Sequence, residues 1–323
     1  MKKRALIFGV CGQDGVYLAK LLHEQGYEVH GTSRDKEMAN MAGLHLMGIY
    51  DNVTVHSAAL LDFRSVLQVI GDVRPDEIYN LAGQSSVGLS FAQPVETFEG
   101  IILGTLNILE CIRFLKLPAR FYNATSGEVF GNTETPADEM TPFRPRSPYG
   151  VAKSTAFWTV ANYRESYGIF ACSGILFNHE SPLRPSRFVT QKIVRGAVDI
   201  VEKRAEKLTL GNLDVSRDWG WAPDYVDAMA RMLKRNEPDD YVVATGRSST
   251  LTGFVDAVFD CLGMKADAYV ETTPELLRPT DIRVSVGDPT KAKAKLDWSA
   301  DITMPRLINR LVDAELARRQ TIK

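Results

Sequence analysis

Four residues near the middle of the chain have the types and spacing of a proton-transfer site. Ser126 and Glu128 are separated by one residue, and Tyr149 and Lys153 follow farther along the chain. On a helix, residues four apart share one face, about one turn apart. A lysine ammonium beside a phenol favours the phenolate, so we expect Lys153 to lower the pKa of Tyr149. The pair predicts a base that removes a hydroxyl proton while the carbon gives a hydride to a nicotinamide.

Glu128 would add a second proton-transfer group, which oxidation of an alcohol alone does not need. Taken alone, however, Tyr149 and Lys153 are equally typical of an ordinary pair on a helix face. For Glu128, the alternative is a solvated loop carboxylate. The elements that position these side chains must therefore decide between the two interpretations.

Composition narrows the class of protein. The chain has 323 residues, a net charge of −2, 45% hydrophobic residues and 24% charged residues. This length allows two domains, or one large domain with an additional lobe. The charge is typical of a soluble enzyme and shows no global basic excess, so we expect no nucleic-acid partner. No apolar run approaches the ~20 residues of a membrane span, so we expect no membrane partner.

The cysteines and histidines favour a reducing compartment and no metal site. Four cysteines are widely scattered without a Cys-x-x-Cys pair, namely Cys11, Cys111, Cys172 and Cys261. Disulfides and a thiolate zinc site are therefore not expected, and a cytoplasmic location fits best. The five histidines show no ligand spacing. The apolar run after Met1 is too short for a signal peptide, and it continues into glycines instead of a cleavage site.

Strands and helices alternate along the first half of the chain. Apolar runs predict strands at residues 5–10, 28–32, 53–56, 77–81, 120–124 and 171–177. Helical spacing predicts helices at residues 14–24, 63–70, 98–115 and 149–167. This alternation is typical of an α/β fold with a Rossmann-like, doubly wound parallel sheet.

After Asn178 the alternation gives way to loops rich in Pro, Arg and Asp, with short helices expected at residues 225–235, 251–262 and 304–318. We interpret residues 1–177 as a dinucleotide-binding Rossmann domain. Residues 178–323 would form mainly a smaller C-terminal substrate-binding lobe, some segments of which return to the first domain.

A glycine-rich turn follows the first predicted strand and opens the first helix. Its sequence is Gly9-Val10-Cys11-Gly12-Gln13-Asp14-Gly15. Glycines let the backbone turn tightly and approach a pyrophosphate, whose charge is favoured at a helix N-terminus. After the second strand, an acidic residue would hold the ribose hydroxyls of NAD, whereas an arginine suits a 2′-phosphate. Because Arg34 stands beside Asp35, we favour NADP, with NAD as the alternative.

Longer strings carry a resemblance to a known family. They include Phe177-Asn178-His179-Glu180-Ser181-Pro182, Arg217-Asp218-Trp219-Gly220, and segments around Pro75–Ala82, Pro142–Tyr149 and Arg278–Pro279. On these strings the chain resembles, nearly end to end, the GDP-mannose 4,6-dehydratases, in the extended branch of the short-chain dehydrogenase/reductases. The resemblance implies an NADP-dependent hydro-lyase that often forms homodimers or homotetramers and acts on GDP-mannose or a closely related GDP-sugar.

The resemblance also implies a role for each catalytic residue. Tyr149 would take the proton of the sugar C4 hydroxyl, Lys153 would lower its pKa, and Ser126 would orient the C4 oxygen. Glu128 would remove the C5 proton and assist loss of the C6 hydroxyl as water. The hydride would return from the coenzyme to C6, so that no coenzyme is consumed.

The binding residues follow from the same resemblance. Cofactor-binding positions would be Gly9, Gly12, Gln13, Asp14, Gly15, Arg34, Leu81, Ala82, Gln84, Tyr149, Lys153, His179 and Arg184. Substrate-binding positions would be Ser85, Ser126, Glu128, Asn178, Lys192, Arg217 and Arg278. Guanidinium forks suit a diphosphate, although a single arginine is more often a surface ion-pair residue.

Two other functions remain open at this point. A 4-keto reductase or epimerase acting on a related GDP-sugar would share Tyr149 and Lys153, but these enzymes usually lack a glutamate at the position of Glu128. A catalytically silent NADP-binding regulator would commonly have lost the tyrosine. Coenzyme stoichiometry and water loss discriminate among the three.

Overall fold

The computed structural model describes residues 2–322, with side chains described through residue 320. Its strands, in chain order, are β1 Arg4–Phe8, β2 Glu28–Ser33, β3 Val53–Ser57, β4 Glu77–Asn80, β5 Arg120–Ser126, β6 Ala171–Leu176, β7 Asn178–Glu180, β8 Leu208–Leu210, β9 Ser216–Trp221, β10 Tyr241–Val243, β11 Ser248–Thr250, β12 Val270–Thr272 and β13 Val284–Ser285.

The α-helices are α1 Gln13–Glu24, α2 Ala42–Leu46, α3 Phe63–Val73, α4 Val87–Ala92, α5 Pro94–Phe98, α6 Gly104–Phe114, α7 Pro148–Tyr167, α8 Val189–Val201, α9 Ala222–Met232, α10 Leu251–Cys261, α11 Thr290–Leu296 and α12 Met304–Ile322. Short 3₁₀ segments occur at Tyr50–Asn52, Gly127–Val129, Ala266–Ala268 and Pro274–Leu276, and a π-helical segment at Glu99–Leu103.

Seven of the strands in the described range form one parallel sheet, the main sheet. Its strand order is β10-β6-β5-β4-β1-β2-β3, so the order reverses between β1 and β4. Every neighbouring pair in it is parallel. This is the doubly wound arrangement, in which ligands bind outside the carboxyl ends of the strands at the point of reversal. The predicted fold class is confirmed.

Helices cover both faces of the main sheet, which explains the continuous apolar runs of its strands. Successive β1 side chains point to opposite faces. Ala5 and Ile7 pack into one buried cluster with residues of α1 and α9, whereas Leu6 and Phe8 pack into another with residues of α3 and α6. The central strands are therefore fixed from both sides, and their carboxyl ends are rigid supports.

A second group of strands and helices is built from residues after 177. Strand β9 pairs with β11, β13 and β7, and β8 pairs with β12. Helices α8, α10 and α12 pack around a separate hydrophobic cluster that includes Ile193, Trp219, Phe254 and Leu307. We call this group the second lobe.

Several elements differ from the sequence-based expectation. Strand β10 lies in a segment expected to be loop and pairs with β6, and the predicted helix α9 packs against α1. Helix α8 was expected to be loop, although Ile193, Val194, Ala197 and Val198 have helical spacing. The long helix expected at residues 98–115 is interrupted by the π-helical segment.

No helix within residues 2–322 is long and apolar enough to cross a membrane. The four cysteines are free thiols.

Candidate functional site

A cleft of about 510 Å³ lies between the carboxyl ends of the main-sheet strands and the second lobe. It brings together nearly all predicted site residues, namely Gly9, Gly12, Gln13, Asp14, Gly15, Leu81, Ala82, Gln84, Ser85, Ser126, Glu128, Tyr149, Lys153, Asn178, His179, Arg184, Lys192, Arg217 and Arg278. The exception is Arg34, which is exposed directly after β2 and does not line the cleft.

The glycine-rich turn has the shape that a dinucleotide requires. Gly9 has φ +88°, and a Cβ on Gly15 would collide with the carbonyl oxygen of Gly9. Gly12 is the N-cap of α1, and no side chain of residues 2–320 caps this helix end. Its first backbone N–H groups therefore remain available to an anion, as in sites that bind a diphosphate. The residues fit a nicotinamide dinucleotide.

Ser126 and Glu128 lie where β5 ends. Ser126 is the last residue of the strand, and its Oγ accepts a hydrogen bond from the backbone N–H of Glu128 at 3.3 Å. This contact caps the 3₁₀ turn Gly127–Val129. The strand end thus fixes the serine, and the serine fixes the backbone that carries the glutamate.

Helix α7 presents Tyr149 and Lys153 to the same strand end. Ser147 Oγ accepts a hydrogen bond from the backbone N–H of Gly150 at 3.0 Å and caps the helix. A Cβ on Gly150 would lie 2.9 Å from the carbonyl oxygen of Glu128. The absence of a side chain there lets the Glu128 turn lie directly against the first turn of α7.

The phenol of Tyr149 is a weaker acid than the sequence predicts. Burial raises its pKa to about 12, and the Glu128 carboxylate acts in the same direction. A side-chain hydrogen bond with Ser126 lowers it, but not enough to compensate. Removal from water thus outweighs the Ser126 hydrogen bond and the positive charge of Arg184, and the lowering of this pKa by Lys153 remains a prediction.

Lys153 is itself affected by burial. Its Nζ donates a hydrogen bond to the carbonyl oxygen of Ala124 at 2.6 Å and lies 5.7 Å from the centroid of the Tyr149 ring. Burial lowers the pKa of the ammonium from 10.5 to about 8, although Asp14 opposes this shift. Both the charged and the neutral form of Lys153 are therefore populated near pH 8.

Glu128 faces two arginines across the cleft. Burial raises the pKa of its carboxyl group, whereas Arg217 and Arg278 lower it. A carboxylate whose pKa is raised is a stronger base than a solvated glutamate, and it can afterwards donate the proton that it has taken. This environment differs from that of a solvated loop carboxylate.

Asp281, an acidic residue not predicted from the sequence, lies between the side chains of Arg217 and Arg278 in the folded chain. Asp281 Oδ1 lies 3.0 Å from Nη2 of Arg217 and 3.6 Å from Nη1 of Arg278. Its position three residues after Arg278 was the available signal, because an i,i+3 spacing brings side chains together on a turn. Asp281 holds both guanidinium groups at one wall of the cleft.

Another ion pair lies at the glycine-rich turn, where Asp14 Oδ2 is 2.9 Å from Nε2 of His179. Within the described side chains, no three or more His, Cys, Asp or Glu residues are arranged to hold a metal ion. The cleft places proton-transfer groups beside a glycine-rich turn whose shape suits a dinucleotide.

Comparisons with known proteins agree with this geometry. The family model described as GDP-mannose 4,6 dehydratase matches residues 6–311. The chain belongs to the GDP-mannose 4,6-dehydratase family. GDP-mannose 4,6 dehydratase 2 of Arabidopsis thaliana is 44% identical, with 99% of this chain and 89% of the relative covered. The human GDP-mannose 4,6 dehydratase is 41% identical, with 98% and 92% covered.

A solved structure extends the comparison to three dimensions. The UDP-glucose 4-epimerase of Thermus thermophilus, crystallised with NAD, matches with a TM-score of 0.86 and 26% identity. The match covers 97% of this chain and 99% of the epimerase. The family model and the two dehydratase relatives confirm the family resemblance inferred from the motifs, and the epimerase structure agrees with the fold.

The environment of Lys153 leads to a pH-dependent prediction. In the coenzyme-free protein, one lysine Cε resonance should titrate near pH 8, because burial disfavours the charged ammonium. ¹³C NMR of lysine-labelled protein measures this titration. Lys153→Met should remove the resonance, and Lys20→Met should leave it in place. If no lysine titrates near pH 8, or if the signal survives Lys153→Met, the environment assigned to Lys153 is wrong.

Proposed function

We propose that the chain converts GDP-mannose to GDP-4-keto-6-deoxymannose and water. The observation that carries the proposal is the position of Glu128, whose backbone is held by the strand-end serine Ser126 against the first turn of α7, which contains Tyr149. The same cleft contains Arg217 and Arg278, which suit the diphosphate of a GDP-sugar. Membership of the family supports both assignments.

Tyr149 and Ser126 would perform the first proton transfer. Ser126 would hydrogen-bond the C4 oxygen and Tyr149 would accept the hydroxyl proton. A bound nicotinamide would supply, in its oxidised form, a positive charge and the hydride acceptor for C4 and, once reduced, the hydride donor for C6. Since the pKa of Tyr149 is about 12 in the free chain, positive charge near the ring, including that of Lys153, would be needed to stabilise the phenolate.

Glu128 would perform the second proton transfer. The ketone at C4 acidifies the C5 hydrogen, and Glu128 would take this proton. The C6–O bond would break with transfer of a proton from Glu128, so that the hydroxyl leaves as water. A raised pKa suits a group that is first a base and then an acid. C6 would then gain the hydride and C5 a proton from Tyr149, which returns Tyr149, Glu128 and the coenzyme to their starting states.

We propose NADP as the coenzyme, with NAD as the alternative. Arg34 follows β2 directly, and its exposed guanidinium could meet a 2′-phosphate at the outer end of the dinucleotide site. The glycine-rich turn and His179 would contact the remainder of the molecule, together with Arg184. Residues 1–177 and 178–323 would correspond mainly to coenzyme and nucleotide-sugar binding, respectively.

Incubation with GDP-mannose in deuterated water tests the function. We expect a 4-keto-6-deoxy product with deuterium at C5 and the loss of one water, without added stoichiometric coenzyme. Mass spectrometry of nucleotide released from the denatured protein should identify NADP. Stoichiometric coenzyme consumption without water loss would favour the reductase alternative. Folded, coenzyme-loaded protein that forms no product from GDP-mannose would refute the proposed reaction.

The role of Glu128 leads to a separate prediction. Glu128→Gln should reduce kcat for water loss by about 10²–10⁴-fold, because the amide can neither take the C5 proton nor return one. Coenzyme affinity, measured by calorimetry, should be unchanged. Glu134→Gln changes an exposed glutamate of the same connection outside the cleft and serves as the matched control. Near-normal dehydration by Glu128→Gln would show that another group moves the proton.

We also propose that the protein forms a homodimer or homotetramer. Three apolar side chains are exposed to solvent, namely Val95 (67%) on α5, Leu103 (45%) on the π-helical segment and Trp158 (61%) on α7. A second copy could cover these apolar side chains. Sedimentation equilibrium should show a dimer or tetramer that Trp158→Glu weakens, whereas Leu46→Glu on α2 should not. A wild-type protein that stays monomeric at micromolar concentration would contradict the assembly.

A further inference from the structure

The first turn of α1 is fastened to β7 by side chains from both elements. Asp14 Oδ2 lies 2.9 Å from Nε2 of His179. Gln13 Nε2 donates to Asp14 Oδ1 at 3.0 Å and to the carbonyl oxygen of His179 at 3.2 Å. Ser181 Oγ donates to Gln13 Oε1 at 2.8 Å. The helix end that follows the glycine-rich turn is therefore joined directly to the strand that leads into the second lobe.

Both ring nitrogens of His179 face oxygen atoms that can only accept hydrogen bonds. Nδ1 lies 2.8 Å from the carbonyl oxygen of Phe177, and Nε2 faces the carboxylate of Asp14. A neutral imidazole has one N–H, whereas the imidazolium has two. Only the imidazolium can donate to both oxygens, so this geometry selects the charged form of His179.

The surroundings of the ring are closed to solvent. His179 is 7% exposed, and the Tyr225 ring stacks on it with centroids 4.5 Å apart. The titratable and charged side chains around it are Asp14 on α1, Glu180 on β7, Arg184 after β7 and Tyr225 on α9. Glu180 is engaged by Arg184 at 3.5 Å. Asp14 is therefore the partner that compensates the buried imidazolium.

The pKa directions of the pair agree with the geometry. Burial and Arg184 oppose the charged imidazole, but the Asp14 carboxylate outweighs them and raises the pKa of His179 above its usual value. Burial also opposes the charge of Asp14, yet His179 lowers the pKa of that carboxyl group below its usual value. Each partner thus stabilises the charged form of the other.

We propose that the ion pair between Asp14 and the His179 imidazolium positions the coenzyme-binding turn, and that loss of the second His179 proton weakens coenzyme binding. The proposal rests on the coenzyme role given above to the glycine-rich turn. Without the second proton, a nitrogen lone pair would face either the Phe177 carbonyl oxygen or the Asp14 carboxylate. In both tautomers Asp14 would lose the positive charge of the imidazolium beside the helix end that receives the diphosphate. His179 is in this respect a positioning residue that acts through Asp14.

The protonation state can be read without coenzyme. The chain has only five histidines, and ¹⁵N NMR of histidine-labelled protein distinguishes an imidazolium from either neutral tautomer. We expect one histidine, absent in His179→Asn, to carry protons on both nitrogens at pH 7. In Asp14→Asn, the same histidine should become neutral at pH 7, since an amide cannot compensate the charge. A single protonated nitrogen on His179 of the wild type at pH 7 would overturn the proposal, even if the variants fail to fold.

Calorimetric titration with NADP⁺ and NAD⁺ measures the effect on coenzyme binding. His179→Asn should weaken binding about tenfold or more, because it leaves the Asp14 carboxylate unpaired. Asp14→Asn should retain more affinity, because its amide N–H can donate to the neutral imidazole. His45→Gln is the control, since His45 is exposed and stacks on Tyr50. Wild-type affinity in His179→Asn would overturn the proposal.

The pH profile separates His179 from Lys153. Wild-type affinity should fall as pH rises through the pKa of His179, and Asp14→Asn should lack that step. Because Asp14 raises the pKa of Lys153, the Lys153 step should lie at lower pH in Asp14→Asn, and the lysine ¹³C titration of each protein identifies that step. Identical pH profiles would refute the positioning role. Wild-type protein that binds neither coenzyme would refute the proposed function together with this role, whereas normal wild-type binding with unaffected variants refutes this role alone.

Discussion

Removal from water is the constraint on which the chemistry of the cleft depends. Burial is the largest influence on the pKa values of Tyr149, Lys153 and Glu128, and it opposes the charged form of each. A buried charge is tolerated only when another group compensates it. The cleft supplies such groups in the Ala124 carbonyl oxygen and in Arg217. Because these compensations are limited, small changes in nearby charge can move protons between residues.

The parallel sheet brings the buried groups of the cleft close to one another. Strands β1 and β5 end at the same edge, so the glycine-rich turn and Ser126 meet without any long connection. The Ser147 cap of α7 lies two residues before Tyr149, and Gly150 permits the close approach of the Glu128 turn. Local caps and the absence of a side chain at Gly150 thus bring Tyr149 and Glu128 into one site. The proposed oxidation and dehydration of one sugar need that proximity.

The sequence predicted the parts of this arrangement that depend on local pattern. Alternating apolar runs identified the six strands of the main sheet that precede residue 177, and the spacing of Tyr149 and Lys153 placed both on α7. Strand β10 was missed because three residues are too short to show periodicity, and it is a strand only through pairing with β6. The π-helical segment leaves no mark in an apolar helical run. Helix α8 could have been predicted, since its apolar spacing is clear.

Electrostatic properties of the site were less predictable, because they depend on burial. Burial raises the pKa of Tyr149, and this effect could not be predicted, because adjacency to Lys153 is visible in the sequence and desolvation is not. Asp281 pairs with Arg217 and Asp14 pairs with His179 across segments distant in the chain. The motif strings indicated a shared site for Arg217, Asp14 and His179 but not for Asp281, and only the folded chain shows which side chains compensate the charges of one another.

The central claim is that oxidation and reduction occur within one turnover on one sugar. GDP-mannose carrying deuterium at C4, incubated in ordinary water with the protein and unlabelled coenzyme, tests this directly by NMR of the product. The proposed reaction predicts that the deuterium appears at C6 of the 4-keto-6-deoxy sugar. Deuterium found in free coenzyme or in solvent, with none at C6, would contradict an internal return of hydride.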